Sequence, residues 1–453
     1  MKKAISILLS LITVLGLTAC GADESSKPSS STNTMETSSD ISSENSSVEE
    51  TPKENKSSSK KATTSVNKGN STNNGSLLAN TSSGKKYPIK EKIINIRKSY
   101  KKYFKCMGRG NTDSISMGID LNWSCASVEF DVDCTGELKV NLQKSAGESP
   151  IFIEIYVDGK LLESRTKIVD SCDITIAKNL TPGVHRVKIV RQTDCESPNL
   201  KLSKIYVYGT LVPKAPENSP LYIEAIGDSS LIGWGVRLPD KLFENFYTGT
   251  DEEKKAKLKA ARDDENQDGT LAYPYVAAEK LNADSYIFAK QGVGIAATYH
   301  RSGGKAIPRA GLLPTMYDFC FASGDLEYTP DRQPDVIVLD AGSTDLFNDL
   351  LKSAIDGDKV GIDVTRANEI ATEFLKNLKS KNPKAKIIWR YGLTSNNAKL
   401  KDHVLNAVKK AGGNAKGIYS LELPFSARSG YPSEKEYAAA ADILVNKIKQ
   451  ITK

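Results

Sequence analysis

The sequence predicts a two-domain protein in which an all-β domain precedes an α/β domain built on a parallel sheet. Three observations indicate this fold class. The length of 453 residues exceeds that of an ordinary single domain with one hydrophobic core. Short runs of alternating polarity fill the stretch from about residue 88 to residue 212, and strand-like runs alternate with helix-like runs beyond it.

The first twenty residues predict a bacterial lipoprotein signal. Two lysines precede the apolar run 5–17, and Leu17-Thr18-Ala19-Cys20 has the form of a lipobox. The apolar run is shorter than the ~20 residues that a membrane-spanning helix needs. We therefore expect residues 1–19 to be removed and Cys20 to carry a lipid. The chain would then lie on the extracellular face of the bacterial cell membrane, attached through the lipid anchor only.

Residues 20–86 predict a disordered tether. This stretch is rich in Ser, Thr, Asn, Lys and Glu and contains no aromatic residue. Such a composition buries too little apolar surface to offset the entropy that ordering would cost. We expect the segment to hold the folded domains away from the membrane surface.

Charge and cysteine content exclude several functions. The formal net charge is 62 − 55 = +7, and it falls to +5 once the two signal-peptide lysines are lost, which predicts no nucleic-acid partner. The cysteines of the first domain and the lone Cys320 of the second fit no zinc spacing, and their pairing stays open. No cofactor is expected. The cysteines of the first domain are Cys106, Cys125, Cys134, Cys172 and Cys195.

The all-β domain is assigned to residues 87–213. Its strand candidates are 115–121, 127–132, 138–142, 151–157, 173–176, 184–190 and 205–208. The turn signals Asp158-Gly159 and Pro182-Gly183 separate some of these runs. Many short strands at near-regular spacing predict an antiparallel sandwich or jelly roll.

The α/β domain is assigned to residues 214–453, after the proline-rich hinge 212–216. Strands are predicted at 221–226, 285–289, 335–341, 386–391 and 417–421, and helices at 272–281, 364–380, 398–411 and 433–448. This alternation predicts a parallel sheet flanked by helices, in which ligands bind at the carboxyl ends of the strands. Gly227, Gly292 and Gly342 lie in the loops that follow three of these strands.

The loops at the strand ends supply candidates for attack on an ester carbonyl. Ser229, in Gly227-Asp228-Ser229-Ser230, is the candidate nucleophile, and Gly292 can present a backbone N–H to the oxyanion without side-chain obstruction. A serine hydroxyl also needs a base that takes its proton. The region after the last predicted strand contains no histidine that could serve.

These blocks resemble the SGNH, or GDSL-like, hydrolases, and their order resembles carbohydrate esterase family 2 from about Met107 to the C-terminus. The resemblance implies a three-layer SGNH-hydrolase-like α/β domain after a jelly-roll domain, and an acetylxylan-type deacetylase that uses no metal. Its motifs are Met107-Gly108-Arg109, Val157-Asp158-Gly159, Gly183-Val184-His185, Arg191-Gln192-Thr193, Ile226-Gly227-Asp228-Ser229, Gly233-Trp234-Gly235, the run from Asp268 to Pro274, and the block that begins at Gly342.

Transferring the family's residues exposes three departures. The nucleophile matches Ser229 and the glycine donor matches Gly292, but Thr344 stands where the resemblance implies an asparagine donor. Tyr431 stands where it implies the histidine base, and Arg428 where it implies the carboxylate that orients that base. A tyrosine with a pKa of about 10 accepts a proton poorly at neutral pH, so we expect impaired turnover.

Three further residues are assigned to substrate binding. Trp234 follows the nucleophile closely and could stack on a sugar ring, with core packing as an equally weighted alternative. His300 follows the Gly292 loop and is expected to contact sugar or solvent, with rescue of the missing base as the less favoured role. Asp345 completes the Gly342 block.

Two further segments contain charged or acidic patterns. Asp264, Asn266 and Asp268 imitate the opening of a calcium loop, but Tyr275 occupies the position of the closing glutamate, which favours a polar turn. The charged run 251–262 predicts a solvated helix that could form a rim or lid. Two functions therefore stay open, a surface esterase for acetylated polysaccharide and a glycan-binding lipoprotein that has lost its base.

Overall fold

The computed structural model describes residues 78–80, 86–97, 102–109, 118–196, 198–246, 248–296, 301–302, 305–306, 311–322, 326–346, 364–428 and 430–452. Every described residue belongs to one compact unit, Asn73–Lys453. The expected signal peptide, Cys20 and most of the tether lie outside the described residues. Among the described helices, none combines the length and apolarity needed to cross a membrane.

Two short strands fall at the C-terminal end of the predicted tether. β1 (Leu78–Asn80) pairs antiparallel with β2 (Lys86–Pro88). Tyr87 in β2 is buried, and its hydroxyl donates to Asp133 Oδ1 at 2.8 Å. The prediction of disorder throughout 20–86 is therefore wrong at this end, because an aromatic residue just past the tether anchors the ladder to the β domain.

The β domain is one antiparallel sheet of eight described strands. They are β3 (Lys92–Asn95), β4 (Phe104–Met107), β5 (Ile119–Asp120), β6 (Ser127–Lys144), β7 (Ile151–Val157), β8 (Lys160–Ile168), β9 (Cys172–Arg191) and β10 (Leu200–Leu211). The order across the sheet is β3-β10-β6-β9-β7-β8, with β4 paired to β6 and β5 paired to β10. A strand-rich first domain is confirmed, whereas its jelly-roll arrangement stays a prediction.

Two long strands correct the predicted turns. β6 contains both the 127–132 and 138–142 candidates, and β9 contains both 173–176 and 184–190. Pro182-Gly183 therefore lies inside a strand and does not end one. The register of β6 against β9 shifts on either side of Gly136, so bulges supply the bend that a turn was expected to make. Asp158-Gly159 does close the β7–β8 hairpin, and both residues have positive φ.

The second domain contains a five-stranded sheet in which every described pairing is parallel. Its order is β12-β11-β15-β16-β17, so β12 and β15, the next two of its strands along the chain, lie on opposite sides of β11. All five predicted strands are confirmed within two residues. The strands are β11 (Tyr222–Gly227), β12 (Asp284–Ala289), β15 (Val336–Asp340), β16 (Lys386–Gly392) and β17 (Ile418–Leu423), while β13 (Arg301–Ser302) and β14 (Lys305–Ala306) form a separate ladder.

Helices cover both faces of the parallel sheet. α5 and α6 pack with the side of the sheet that carries Ile337 and Leu339, and α2 and α7 pack with the side that carries Val336 and Val338. The described helices are α1 (Asp251–Ala261), α2 (Tyr273–Lys280), α3 (Leu313–Met316), α4 (Ser343–Leu346), α5 (Val364–Lys381), α6 (Ala398–Lys410) and α7 (Glu434–Ile451). The four predicted amphipathic helices and the charged helix near 251–262 are thus confirmed.

A buried arginine ties the two domains together. Arg109, from the β domain, is fully buried, and its Nη2 donates to Glu224 Oε1 in β11 at 2.9 Å. Its Nε donates to the Tyr286 hydroxyl at 2.8 Å, and its guanidinium lies 3.8 Å from the ring centroid of Phe288. Because both charged partners are desolvated, this pair fixes how the domains meet.

Candidate active site

Ser229 begins a 3-10 turn directly after β11, at the carboxyl edge of the parallel sheet. Its residue is half-buried, and no described residue donates to or accepts from its hydroxyl. Gly227 allows β11 and β15 to approach closely, because a Cβ there would lie 2.1 Å from the carbonyl oxygen of Asp340 in β15. The close approach of these two strands positions the turn.

A buried polar network lies beneath the turn. Ser230 Oγ donates to Asp340 Oδ1 at 2.6 Å and accepts from Arg390 Nη2 at 2.8 Å. Arg390 also forms an ion pair with Asp340, and both side chains are almost completely buried. The Tyr437 hydroxyl donates to the carbonyl oxygen of Ser230 at 2.8 Å. These contacts hold the residue after the nucleophile from three directions.

Asp228 connects this network to the loop after β15. Burial, together with the nearby Asp340 carboxylate, raises the pKa of Asp228. Its Oδ2 accepts from Ser343 Oγ at 3.1 Å and from Thr344 Oγ1 at 2.9 Å. The Thr344 hydroxyl, predicted to stand in for the oxyanion-hole amide, is therefore bonded to a carboxylate of the protein.

The loop after β12 reaches the same edge. Lys290 N donates to Gly227 O at 3.3 Å, and Gly292 follows with a φ of +63°, a conformation that favours glycine. Asp345 is buried, and its carboxylate accepts from Ile295 N at 3.1 Å and Ala296 N at 2.8 Å. Asp345 thus positions the Gly292 loop, and the structure brings together the loops that carry Ser229, Gly292 and Thr344.

The C-terminal block has contacts unlike those of a catalytic base. The Tyr431 ring lies 5.5 Å from the ring centroid of Phe243 and 5.0 Å from that of Phe246. Burial raises the pKa of Tyr431, and the nearby positive charge of Arg262 opposes the rise. No described contact joins Tyr431 to Ser229.

Arg428 serves the same packing. It is buried, and its Nη2 donates to the carbonyl oxygens of Gly235 at 2.7 Å and Leu238 at 3.0 Å. Its guanidinium lies 3.9 Å from the ring centroid of Phe243. Arg428 and Tyr431 therefore fasten the segment that follows the nucleophile turn to the C-terminal loop.

The structure describes only one of the two remaining residues that were assigned to substrate binding. Trp234 is only 5% exposed and packs in the core on the α2 and α7 side of the sheet, which favours the packing alternative over stacking on an open cleft. His300 lies outside the described residues. His403 is buried in α6, and its Cδ2 lies within 3.4 Å of where a Gly342 Cβ would lie.

The acidic turn before α2 joins the two domains. Asp268 is fully buried, and its Oδ2 accepts from Gln192 Nε2 at 2.9 Å and Arg237 Nε at 2.9 Å. Its Oδ1 accepts from Thr270 N at 3.0 Å. The carboxylate is thus committed to protein donors, as the polar-turn interpretation expected, and no cluster of metal-binding side chains occurs among the described residues.

Two comparisons with known sequences agree with each other. Residues 106–216 match the family described as Carbohydrate esterase 2 N-terminal. The chain is 25% identical over 287 residues to an acetylxylan esterase / glucomannan deacetylase of Cellvibrio japonicus (strain Ueda107), an alignment that covers 60% of this chain and 71% of that protein. The chain is related to carbohydrate esterase family 2.

Solved structures of carbohydrate esterase family 2 share the fold. One from Cellvibrio japonicus superposes with a TM-score of 0.63 at 18% identity, covering 80% of this chain and 98% of that one. An acetyl xylan esterase from the rumen bacterium Butyrivibrio proteoclasticus gives 0.62 at 18% identity, over 79% and 98%. A Clostridium thermocellum structure in complex with cellohexaose gives 0.61 at 19%, over 77% and 98%. These likenesses confirm the SGNH-like α/β fold after a strand-rich domain.

Sequence reasoning missed the buried network. Arg390 and Asp340 sit within runs that were assigned as strands, and neither was singled out as a site residue. A charged residue inside an apolar strand was the available signal, since a buried charge requires a partner. The partner of Arg390 could not be identified without knowing that β15 and β16 are neighbours.

Proposed function

We propose that this chain is a glycan-binding relative of the carbohydrate esterases in which turnover of acetyl esters is impaired. The observation that carries the proposal is the packing of Tyr431 against Phe243 and Phe246. Tyr431 takes the place that the family resemblance gives to the general base. Burial raises its pKa, so it remains protonated at neutral pH and its phenol oxygen is a poor proton acceptor.

The oxyanion side supports the same conclusion. Thr344 replaces the implied asparagine, and its hydroxyl donates to Asp228. Loss of one oxyanion-hole donor costs roughly 10²- to 10³-fold in rate, and loss of a triad member leaves only ~10³ to 10⁴ over water. With both weakened, Ser229 lacks the support that efficient turnover requires.

The proposed ligand is a polysaccharide such as acetylated xylan or a related glycan. The relatives support this class, because one is named for acetylxylan and glucomannan and another was solved with cellohexaose. Such a chain would bind at the carboxyl edge of the parallel sheet, where Asp345 accepts from the amide of Ile295 in the loop after β12 and where the Ser229 turn begins. Recognition can therefore persist after the base is lost.

We place the protein on the outer surface of a bacterial cell, attached through a lipid on Cys20. The lipobox and the tether composition support this location. Cys20→Ala should release the chain from the membrane fraction and abolish incorporation of labelled fatty acid. A variant that stays membrane-bound and labelled would contradict the anchor.

Hydrolysis assays on the full chain test the enzymatic part. With an aryl acetate and with acetylated xylan, we expect the rate to lie within about threefold of the Ser229→Ala variant, because a nucleophile without its base adds little. An active carbohydrate esterase family 2 enzyme is the positive control. Turnover that disappears in Ser229→Ala would establish the second candidate, a serine esterase with an unconventional base.

That second candidate is favoured by one observation. Ser229 remains half-exposed at the carboxyl edge of the sheet, and the Gly292 loop remains tied to the end of β11. A surviving nucleophile and donor could still serve slow chemistry. A pH–rate profile separates the two, since any titrating base gives an inflection that Ser229→Ala abolishes, near pH 6.5 for an imidazole, and a pseudoenzyme gives none above background.

A further inference from the structure

The outer face of the β-domain sheet carries two tyrosines on one strand. In β10, Ile205 and Val207 are fully buried, whereas Tyr206 and Tyr208 alternate with them and are half-buried. Successive side chains of a strand point to opposite faces of the sheet. Tyr206 and Tyr208 therefore lie on the face away from the core.

The strand register places Tyr206 in a row across the sheet. It lies opposite Ile93 in β3 on one side and opposite Lys139 in β6 on the other, and Lys139 lies opposite Thr175 in β9. Ile93 is 54% exposed, so the row presents apolar surface next to the aromatic ring. This row is remote in sequence from the Ser229 turn and belongs to the other sheet.

A contact with the neighbouring strand sets the orientation of the ring. Lys139 Nζ of β6 lies over the Tyr206 ring, 5.6 Å from its centroid. Burial and the nearby Asp173 carboxylate of β9 raise the pKa of Tyr206. One face of the ring is therefore turned toward Lys139, and the opposite face is the one that a ligand can reach.

The charges around the ring suit an uncharged partner. Lys139 Nζ lies 2.8 Å from Glu91 and 3.5 Å from Glu137, so its charge is compensated locally. Asp173 accepts from Asn141 Nδ2 at 2.5 Å. The electron-rich ring face and the carboxylates beside it complement the C–H and O–H groups of a neutral sugar and repel anions. This charge match selects one kind of occupant.

We propose that Tyr206 is the stacking platform of a second glycan-binding site, on the outer face of the β domain, for an uncharged polysaccharide chain. The site goes beyond the cleft at Ser229, because its residues come from β3, β6, β9 and β10. It does not depend on turnover. Two contacts on one chain would raise the effective concentration of polysaccharide at the cleft.

Affinity gel electrophoresis of the full chain in xylan, glucomannan and mixed-linkage glucan tests the site. Tyr206→Ala should raise the dissociation constant by about tenfold, the usual cost of truncating an aromatic anchor. Tyr206→Phe keeps the ring, so it should retain most of the retardation of the parent chain. Tyr419→Ala is the matched control, because Tyr419 is another half-buried tyrosine beside a lysine, with Lys447 Nζ 5.0 Å from its ring centroid.

Several results would overturn the proposal. One is equal retardation of the parent chain and of Tyr206→Ala, and another is a parent chain that none of the three polysaccharides retards. Stronger retardation by an anionic polysaccharide, or a change of oligomeric state in Tyr206→Ala, would also contradict it. The Ser229 site is tested separately, since the loss of retardation caused by Tyr206→Ala should be the same with Ser229 present and with Ser229→Ala. Failure of one site therefore does not mimic failure of the other.

Discussion

The Arg390 guanidinium contacts the Asp340 carboxylate directly beneath the turn that begins at Ser229, and Ser230 Oγ hydrogen-bonds both. Burial opposes the charge of Arg390, yet the Asp340 carboxylate holds its pKa above the ordinary value. The pair joins β15 to β16 and holds Ser230, so it supports the turn that begins at Ser229.

Removing one partner of this pair should destabilise the fold strongly. Arg390→Met leaves the Asp340 charge buried without its cation, and we expect a loss of about 3–5 kcal/mol in the free energy of unfolding, measured by urea denaturation. Arg366→Met, which removes an exposed ion pair with Glu369, should cost less than about 1 kcal/mol. Equal effects of the two variants would show that the buried pair does not support the turn.

Restoring the implied catalytic residues should restore rate. Tyr431→His combined with Thr344→Asn supplies an imidazole base and an amide donor, and we expect hydrolysis of an aryl acetate to rise by about 10² or more over the parent chain. The same pair of changes made with Ser229→Ala is the control. If the rate stays at background, residue 431 does not reach the nucleophile and the alignment of the C-terminal block is wrong.

Trp234 should behave as a packing residue. Because its side chain is 5% exposed, Trp234→Ala is expected to cost about 3–5 kcal/mol in unfolding free energy, whereas Trp234→Phe should cost much less. The polysaccharide should retard Trp234→Phe as much as it retards the parent chain. A selective loss of retardation in a fully folded Trp234→Phe would return this residue to the sugar-contacting role.

Arg428 should control the segment that follows the nucleophile turn. Arg428→Ala removes donors to the carbonyl oxygens of Gly235 and Leu238, so hydrogen exchange of the amides around 235–246 should accelerate. Arg237→Ala, which instead loses bonds to Asp268, is the comparison. Unchanged exchange in Arg428→Ala would indicate that the segment is held by the Phe243 and Phe246 packing alone.

His403 predicts a pH dependence with a definite sign. Burial lowers its pKa to about 4, below the ordinary 6.5, so the unfolded chain binds the extra proton between these values. Stability from this group is therefore present above pH 6.5 and is lost as the pH falls toward 4, by up to about 3 kcal/mol. The free energies of unfolding of the parent chain and His403→Gln, measured by urea denaturation, should therefore converge as the pH falls from 6.5 toward 4.

His185 supplies the control of opposite sign. Although burial opposes its charge, the hydrogen bond with Asp158 raises the pKa of His185. Its contribution is present below pH 6.5 and is lost as the pH rises through the folded pKa. The stability difference between the parent chain and His185→Gln should therefore shrink with rising pH. The same trend for both histidines would contradict the assignment.

The order of elements was determined by local sequence. The five parallel strands, the four amphipathic helices and the position of Ser229 after β11 follow from hydrophobic period and from Gly227, which are properties of short segments. The absence of a histidine near residue 431 is likewise visible in the sequence. These features needed no knowledge of which strands are neighbours.

Tertiary structure alone decided what the site residues contact. That Thr344 bonds Asp228, that Tyr431 packs on Phe243 and that the Tyr206 ring lies against Lys139 all depend on strand order and on residues far apart in the chain. A hydroxyl or ring has several partners of similar energy available, and only the packed fold selects among them. The sequence thus determined the order of the elements, while the fold decided which side chains each candidate site residue contacts.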